Sequence, residues 1–170
     1  DAADALDREI MTGLDTALDA LTAMRISEGA SIGAVLQDHV NTISTLTRTV
    51  EADPSRSPDE IARKLAGQVA ALMEGASSLD RDRLYAEAAI LATKADLREE
   101  IDRLHAHVVA ATELLNKGGP VGRRLDFLAQ EFNRESNTIC SKSNSAAVTA
   151  AGIELKVVID QFRGQVQNLE

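Results

Sequence analysis

Apolar residues recur along this chain at steps of three and four, in runs separated by short polar or Gly/Pro-containing breaks. That is the period of helices that bury one face. From Asp4 to about Val50, Met11, Leu14, Leu18 and Leu21 share a face, and Leu36, Val40, Ile43, Leu46 and Val50 share one further on. The Gly29-Ala30-Ser31-Ile32-Gly33 patch between them bends or weakens the helix, so the pattern predicts one long helix or two in tandem. Glu51 to Pro58 predicts a loop. Ser57 is a candidate N-cap there, Pro58 takes the first helical position and Glu60 completes a capping box. The helix that follows carries Ile61, Leu65, Val69 and Leu72 and fades at Gly75. A short GASS linker then leads to Asp80, another candidate cap. From Asp80 to about Asn116 a long helix is predicted, with a heptad-like seam of Leu97, Ile101, Leu104, Val108 and Leu115. Lys117-Gly118-Gly119-Pro120 ends it, and a further helix has its seam at Leu125, Leu128, Phe132 and Ile139. After the polar break Ser141–Ser145, a last helix runs from about Ala146 to the end. Its seam of Val148, Gly152, Leu155, Ile159, Phe162, Val166 and Leu169 is unbroken.

The fold class that follows is all-α, with long antiparallel helices and helical hairpins forming a bundle. Two stretches are expected, a helical region over 1–79 and a C-terminal helical domain over 80–170 that carries the chemistry. Composition agrees. Aromatic residues make up 2% of the 170 residues, so the core is built from Leu, Ile, Val and Ala. No stretch approaches the roughly 18 consecutive apolar residues of a membrane span, and no secretory signal is evident. The single cysteine, Cys140, rules out an intramolecular disulfide and fits a reducing cytoplasm. Cys140 itself reads as a small packing residue, and His39 and Arg25 as solvated side chains. The chain opens on Asp, which suggests a piece of something longer.

Formal net charge is −9, which argues against nucleic acid when taken in bulk. The charge is uneven, however. Residues 1–79 hold 6 basic and 13 acidic side chains, whereas 120–145 hold 4 basic and 3 acidic. A local basic groove is therefore compatible with the acidic total, more so if metal ions share the work.

Two polar stripes carry the candidate chemistry. Asp96, Glu100, Arg103 and His107 step by 4, 3 and 4. Asp126, Gln130, Asn133 and Asn137 do the same one helix later, in a stretch where Arg123, Arg124, Glu131, Arg134, Glu135, Ser141 and Lys142 also crowd together. Asn is a poor helix-interior residue, so two of them one turn apart invite a purpose. A tight hairpin makes the two helices antiparallel neighbours, and the stripes could then face each other across a groove. The plain reading is a solvated face with Glu99–Arg103 as an i,i+4 pair, and a polar network between packed helices. The sharper reading has acids and a histidine serving as metal ligands or acid–base groups. Glu100 and His107 lie about 10 Å apart along a helix, so a metal site must also draw on another helix. No Walker loop, dinucleotide glycine motif, HExxH, CxxC or GxSxG is present.

Three long stretches, KADLREEIDRLHAHV (Lys94–Val108), PVGRRLDFLAQEFNRESNTICSKS (Pro120–Ser143) and IELKVVIDQFRGQVQNLE at the C-terminus, resemble the C-terminal half of the YicC/YloC family. ALDALTAMRISEGASI resembles that family's middle region more weakly. The resemblance implies a bacterial cytoplasmic endoribonuclease that needs a divalent metal, assembles as a ring-like hexamer and cleaves single-stranded or structured RNA. It also implies an N-terminal portion with strands of its own, making this chain a fragment of a larger α+β protein. Carry-over falls on Asp96, Glu99, Glu100, Arg103 and His107, and on Arg123, Arg124, Asp126, Gln130, Glu131, Asn133, Arg134, Glu135, Asn137 and Lys142. The Ser145-Ala146-Ala147 stretch departs from the family, which more often has an acid there.

On this basis Asp96, Glu100, His107, Glu131 and Glu135 are expected to be catalytic and to hold a divalent ion, manganese or magnesium. Arg103, Arg123, Arg124, Arg134 and Lys142 are expected to grip RNA phosphates, with Gln130, Asn133 and Asn137 orienting ribose or ligands. A metal-independent route through a 2′-hydroxyl, with His107 as base, stands beside it. The rival from another class is a non-catalytic helical RNA-binding adaptor or oligomeric scaffold, which would be indifferent to chelator.

Overall fold

The computed structural model describes residues 2–75, 82–83, 86–87, 90 and 96–169. Among these there is no strand, and the all-α expectation holds. Five α-helices are named here: α1 (Ala2–Ala52), α2 (Pro58–Gly75), α3 (Arg98–Lys117), α4 (Gly122–Lys142) and α5 (Ala146–Val166), with a 3₁₀ turn at Pro54–Arg56.

The α1 helix is one continuous element of 51 residues, so the glycine patch at 29–33 does not split it. It has two environments. Its second half buries Leu36, Val40, Ile43, Thr47 and Val50, and the Thr47 hydroxyl is satisfied by the Ile43 carbonyl at 2.8 Å. The predicted face at Met11, Leu14, Leu18 and Leu21 is instead exposed, because nothing described packs against that half. Between α1 and α2, Ser57 caps as expected, accepting from the Glu60 amide at 3.2 Å. The reciprocal arm of the capping box is not made, since the Glu60 carboxylate pairs with Arg63.

The long helix expected from Asp80 holds at residues 82–83, 86–87 and 90, which are helical, but it is interrupted before Arg98. Asp96 and Leu97 are non-helical and α3 begins at Arg98, with the Arg98 amide donating to Asp96 Oδ1 at 2.8 Å. Most of 80–95 lies outside the described residues. A carboxylate two residues ahead of a free helical amide is a ready partner for it, which is how Asp starts helices. The next turn is as predicted. Gly118 and Gly119 take φ of 66° and 79°, a region that residues with a Cβ avoid, and the chain reverses there.

The second half of α1 and helices α3, α4 and α5 pack as a four-helix ring in which each touches its two neighbours. Glu51 at the end of α1 meets Arg98 and His105 of α3, and the α1 stretch around Gly29–Ile32 lies beside Gln167–Leu169. Together with the two hairpins, those contacts make the ring run up-down-up-down. The seams read from the sequence form the core: Ile101, Leu104, Leu125, Phe132, Ile139, Leu155, Ile159 and Phe162 are all fully buried. Gly152 lets α5 approach α4 closely. A Cβ there would lie 2.7 Å from Cys140 Sγ, which accounts for glycine inside an otherwise bulky seam. The packing fixes α3 and α4 side by side, and their shared edge is polar.

Candidate metal centre

Along the α3–α4 edge, positions 100, 103 and 107 of α3 point at 131, 135 and 142 of α4. Antiparallel helices pair early residues of one with late residues of the other. Glu100 therefore meets Lys142, Arg103 meets Glu135, and His107 reaches Glu131 and Glu135.

The ligand atoms offered by His107, Glu131 and Glu135 lie within 4.8 Å of one another. Glu135 is 2% exposed, and His107 and Glu131 are half-buried. His107 Nε2 is buried with no hydrogen-bond partner among the described residues. Three other buried side-chain atoms also lack a partner among the described residues, His39 Nδ1, Arg56 Nε and Glu100 Oε2, and what sets His107 Nε2 apart is the pair of glutamates beside it. The His107 ring meets Phe132 in a T-shaped contact, with centroids 6.0 Å apart and planes at 89°. Phe132 in turn meets Phe162 of α5 at 6.0 Å and 88°. One imidazole nitrogen and two carboxylates are a donor set suited to a borderline or hard divalent ion. These three residues could hold one.

Arg103 flanks the cluster. Its Nη1 donates to Glu135 Oε1 at 3.3 Å, while its Nη2 donates to Glu99, the i,i+4 pair expected from the sequence. The hydrogen bond to Glu135 and the charges of Glu99 and Glu135 raise the guanidinium pKa further above its ordinary value, so Arg103 is fully charged. It supplies the counter-charge for a carboxylate that is almost entirely out of water.

Asp96 and Glu100 sit elsewhere. Asp96 caps α3, and its carbonyl accepts from Lys142 Nζ at 3.2 Å. Glu100, 6% exposed, takes Lys142 Nζ on Oε1 at 2.7 Å, and its Oε2 is buried without a partner among the described residues. The end of the edge that holds Glu100 and Lys142 is thus an ion pair about two turns from His107. Removing Lys142 would leave a buried carboxylate with both oxygens unsatisfied. Lys142→Ala is expected to cost about 1–3 kcal/mol in chemical denaturation. Replacing both partners by methionine should recover most of that loss, since two apolar side chains need no partner.

The second polar stripe faces a different helix from the one expected. Asp126 lies 3.6 Å from Arg163 of α5, and Asn133 Nδ2 donates to Asp160 of α5 at 3.5 Å. Asn137 donates to Asn133 at 2.7 Å and Gln130 to Asp126 at 2.9 Å. The correction follows from helical geometry: a stripe at steps of 4, 3 and 4 beginning at Asp126 lies on the flank opposite to Glu131 and Glu135. Arg123, Arg124 and Arg134 are exposed, and none has a hydrogen bond or ion pair from its side chain among the described residues. They leave free cations beside the cluster. Phe132 as the brace of His107 was not evident from the sequence, where it reads only as a seam residue.

The family model described as "Endoribonuclease YicC-like, C-terminal" matches residues 50–170. A Haemophilus influenzae protein named "Probable endoribonuclease YicC" is 40% identical over 167 residues, which is 98% of this chain and 57% of that protein. A Clostridioides difficile protein of the same name is 32% identical over 157 residues, 92% of this chain and 54% of that protein. The chain thus spans a little over half the length of these curated relatives.

Proposed function

The chain belongs to the YicC-like endoribonuclease family, and from that premise we propose that it is the helical part of a metal-dependent endoribonuclease whose ion is held by His107, Glu131 and Glu135. The observation that carries the reading is the convergence of those three side chains around a buried, unpartnered imidazole nitrogen. Manganese or magnesium suits the oxygen-rich donor set. Bound there, a divalent ion supplies Lewis acidity toward a phosphodiester oxygen and toward water.

The chain's own residues prepare that site. Phe132 holds the His107 ring through a T-shaped contact, and Arg103 keeps the Glu135 carboxylate in place by a hydrogen bond. Arg123, Arg124 and Arg134, unpaired among the described residues, present positive charge along the exposed flank of α4 where phosphates of an RNA strand would lie. Arg103 and Lys142, assigned to phosphates from the sequence, pair with Glu135 and Glu100 of the same edge. Assembly belongs to the same reading. The apolar stripe of Leu14, Leu18 and Leu21 is exposed, and contiguous exposed apolar surface marks contact with another chain, which favours a homo-oligomer such as the hexamer that the family resemblance implies.

Cleavage of a labelled RNA by the intact protein tests the proposal. Cleavage with manganese that stops on adding excess EDTA is the expected result. Binding without cleavage in either condition would favour the adaptor, and cleavage that survives EDTA would remove the ion from the mechanism.

A further inference from the structure

The chain has three phenylalanines. Phe132 and Phe162 are fully buried, whereas Phe127 is 59% exposed. A single exposed apolar side chain is ordinarily unremarkable, but the surroundings of Phe127 set it apart. Arg124, Phe127, Glu131 and Arg134 step by 3, 4 and 3 along α4, so they form one ridge. Arg123 lies a turn before Phe127 on the same exposed side. The ring is thus flanked by three arginines with no partner among the described residues, and it sits one turn, about 6 Å, from Glu131 of the metal cluster.

We propose that Phe127 is a stacking platform for an unpaired base of an RNA strand whose phosphates Arg123, Arg124 and Arg134 hold. The proposal rests on the reading of this flank as the RNA face and assigns to Phe127 the base contact that an unpaired stretch of RNA offers. Surfaces that bind single strands combine backbone-tracking cations with aromatic rings on which bases stack, because every base offers a π-face. Double-stranded RNA keeps its bases stacked on one another and has none to offer. Charge complementarity selects this occupant: an apolar protein partner would have to desolvate the arginines on both sides of the ring.

The test uses the intact protein in EDTA, so that binding is read without cleavage. An oligonucleotide with an internal 2-aminopurine is compared with a strand of the same length lacking that base. Phe127→Leu should weaken binding of the base-bearing strand about tenfold and abolish 2-aminopurine quenching. Affinity for the strand lacking the base should stay unchanged, and Phe127→Trp should restore both readouts. Wild-type affinity and quenching in the leucine variant would overturn the stacking role. So would equal weakening for both strands, or a change in oligomeric mass with RNA affinity intact, which would make Phe127 a contact between protein chains. A wild-type protein that binds neither strand would overturn the RNA face itself.

Discussion

Glu135→Gln is expected to lower manganese affinity and RNA cleavage by about a hundredfold or more while leaving the fold intact. The substitution keeps the shape of a side chain that is 2% exposed and keeps an oxygen for Arg103 Nη1, now at 3.3 Å. What it removes is one of two negative charges in the candidate ligand set. Losing groups that only orient a ligand typically costs 10–100-fold in metal affinity, so the loss of a ligand charge should cost no less. Calorimetric titration with manganese reads the affinity, and thermal denaturation serves as the control for folding. A variant that binds manganese as the wild type does would exclude Glu135 from the site.

Phe132→Ala is expected to produce the largest loss of stability, about 3–5 kcal/mol. Phe132 is fully buried at the junction of three helices, in T-shaped contact with both His107 and Phe162. Truncation opens a cavity where the bundle cannot collapse without shifting α5, which Gly152 already holds tight against Cys140. For a chain of this size that loss lowers Tm by roughly 6–20 °C, measured against wild type at matched concentration. It should also weaken manganese binding, because His107 loses its brace. Phe132→Leu keeps most of the volume and should cost under about 1.5 kcal/mol, separating the packing role from the bracing one.

The sequence made the bundle easy to read and the site harder. The seam from Val148 to Val166 in α5 and the seam from Leu125 to Ile139 in α4 are buried as the period predicted, since a 3-and-4 step can face only one way in a helix. The Gly118-Gly119 turn was equally plain. Periodicity could not say what each seam would meet. The Leu14–Leu18–Leu21 face has the same pattern as the buried half of α1 and yet lies exposed. Polar stripes shared that limit. Glu100 and His107 occupy one stripe of α3, but α4 offers Lys142 to the first and two glutamates to the second, which separates an ion pair from a candidate ligand set. Which residue of α4 stands opposite which of α3 depends on the length of the hairpin and the tilt of the helices, and neither is written in any local spacing. The 10 Å separation of Glu100 and His107 pointed to a second helix for any further ligands. The two carboxylates that lie beside His107, Glu131 and Glu135, are on α4.

The central claim is the place of the ion. Crystals of the intact protein grown with manganese, with data collected to detect its anomalous scattering, locate it directly. The expected peak lies within bonding distance of His107 Nε2 and of carboxylate oxygens of Glu131 and Glu135. A manganese peak bound elsewhere, for example at Glu100, with His107 Nε2 still unpartnered, would contradict the account.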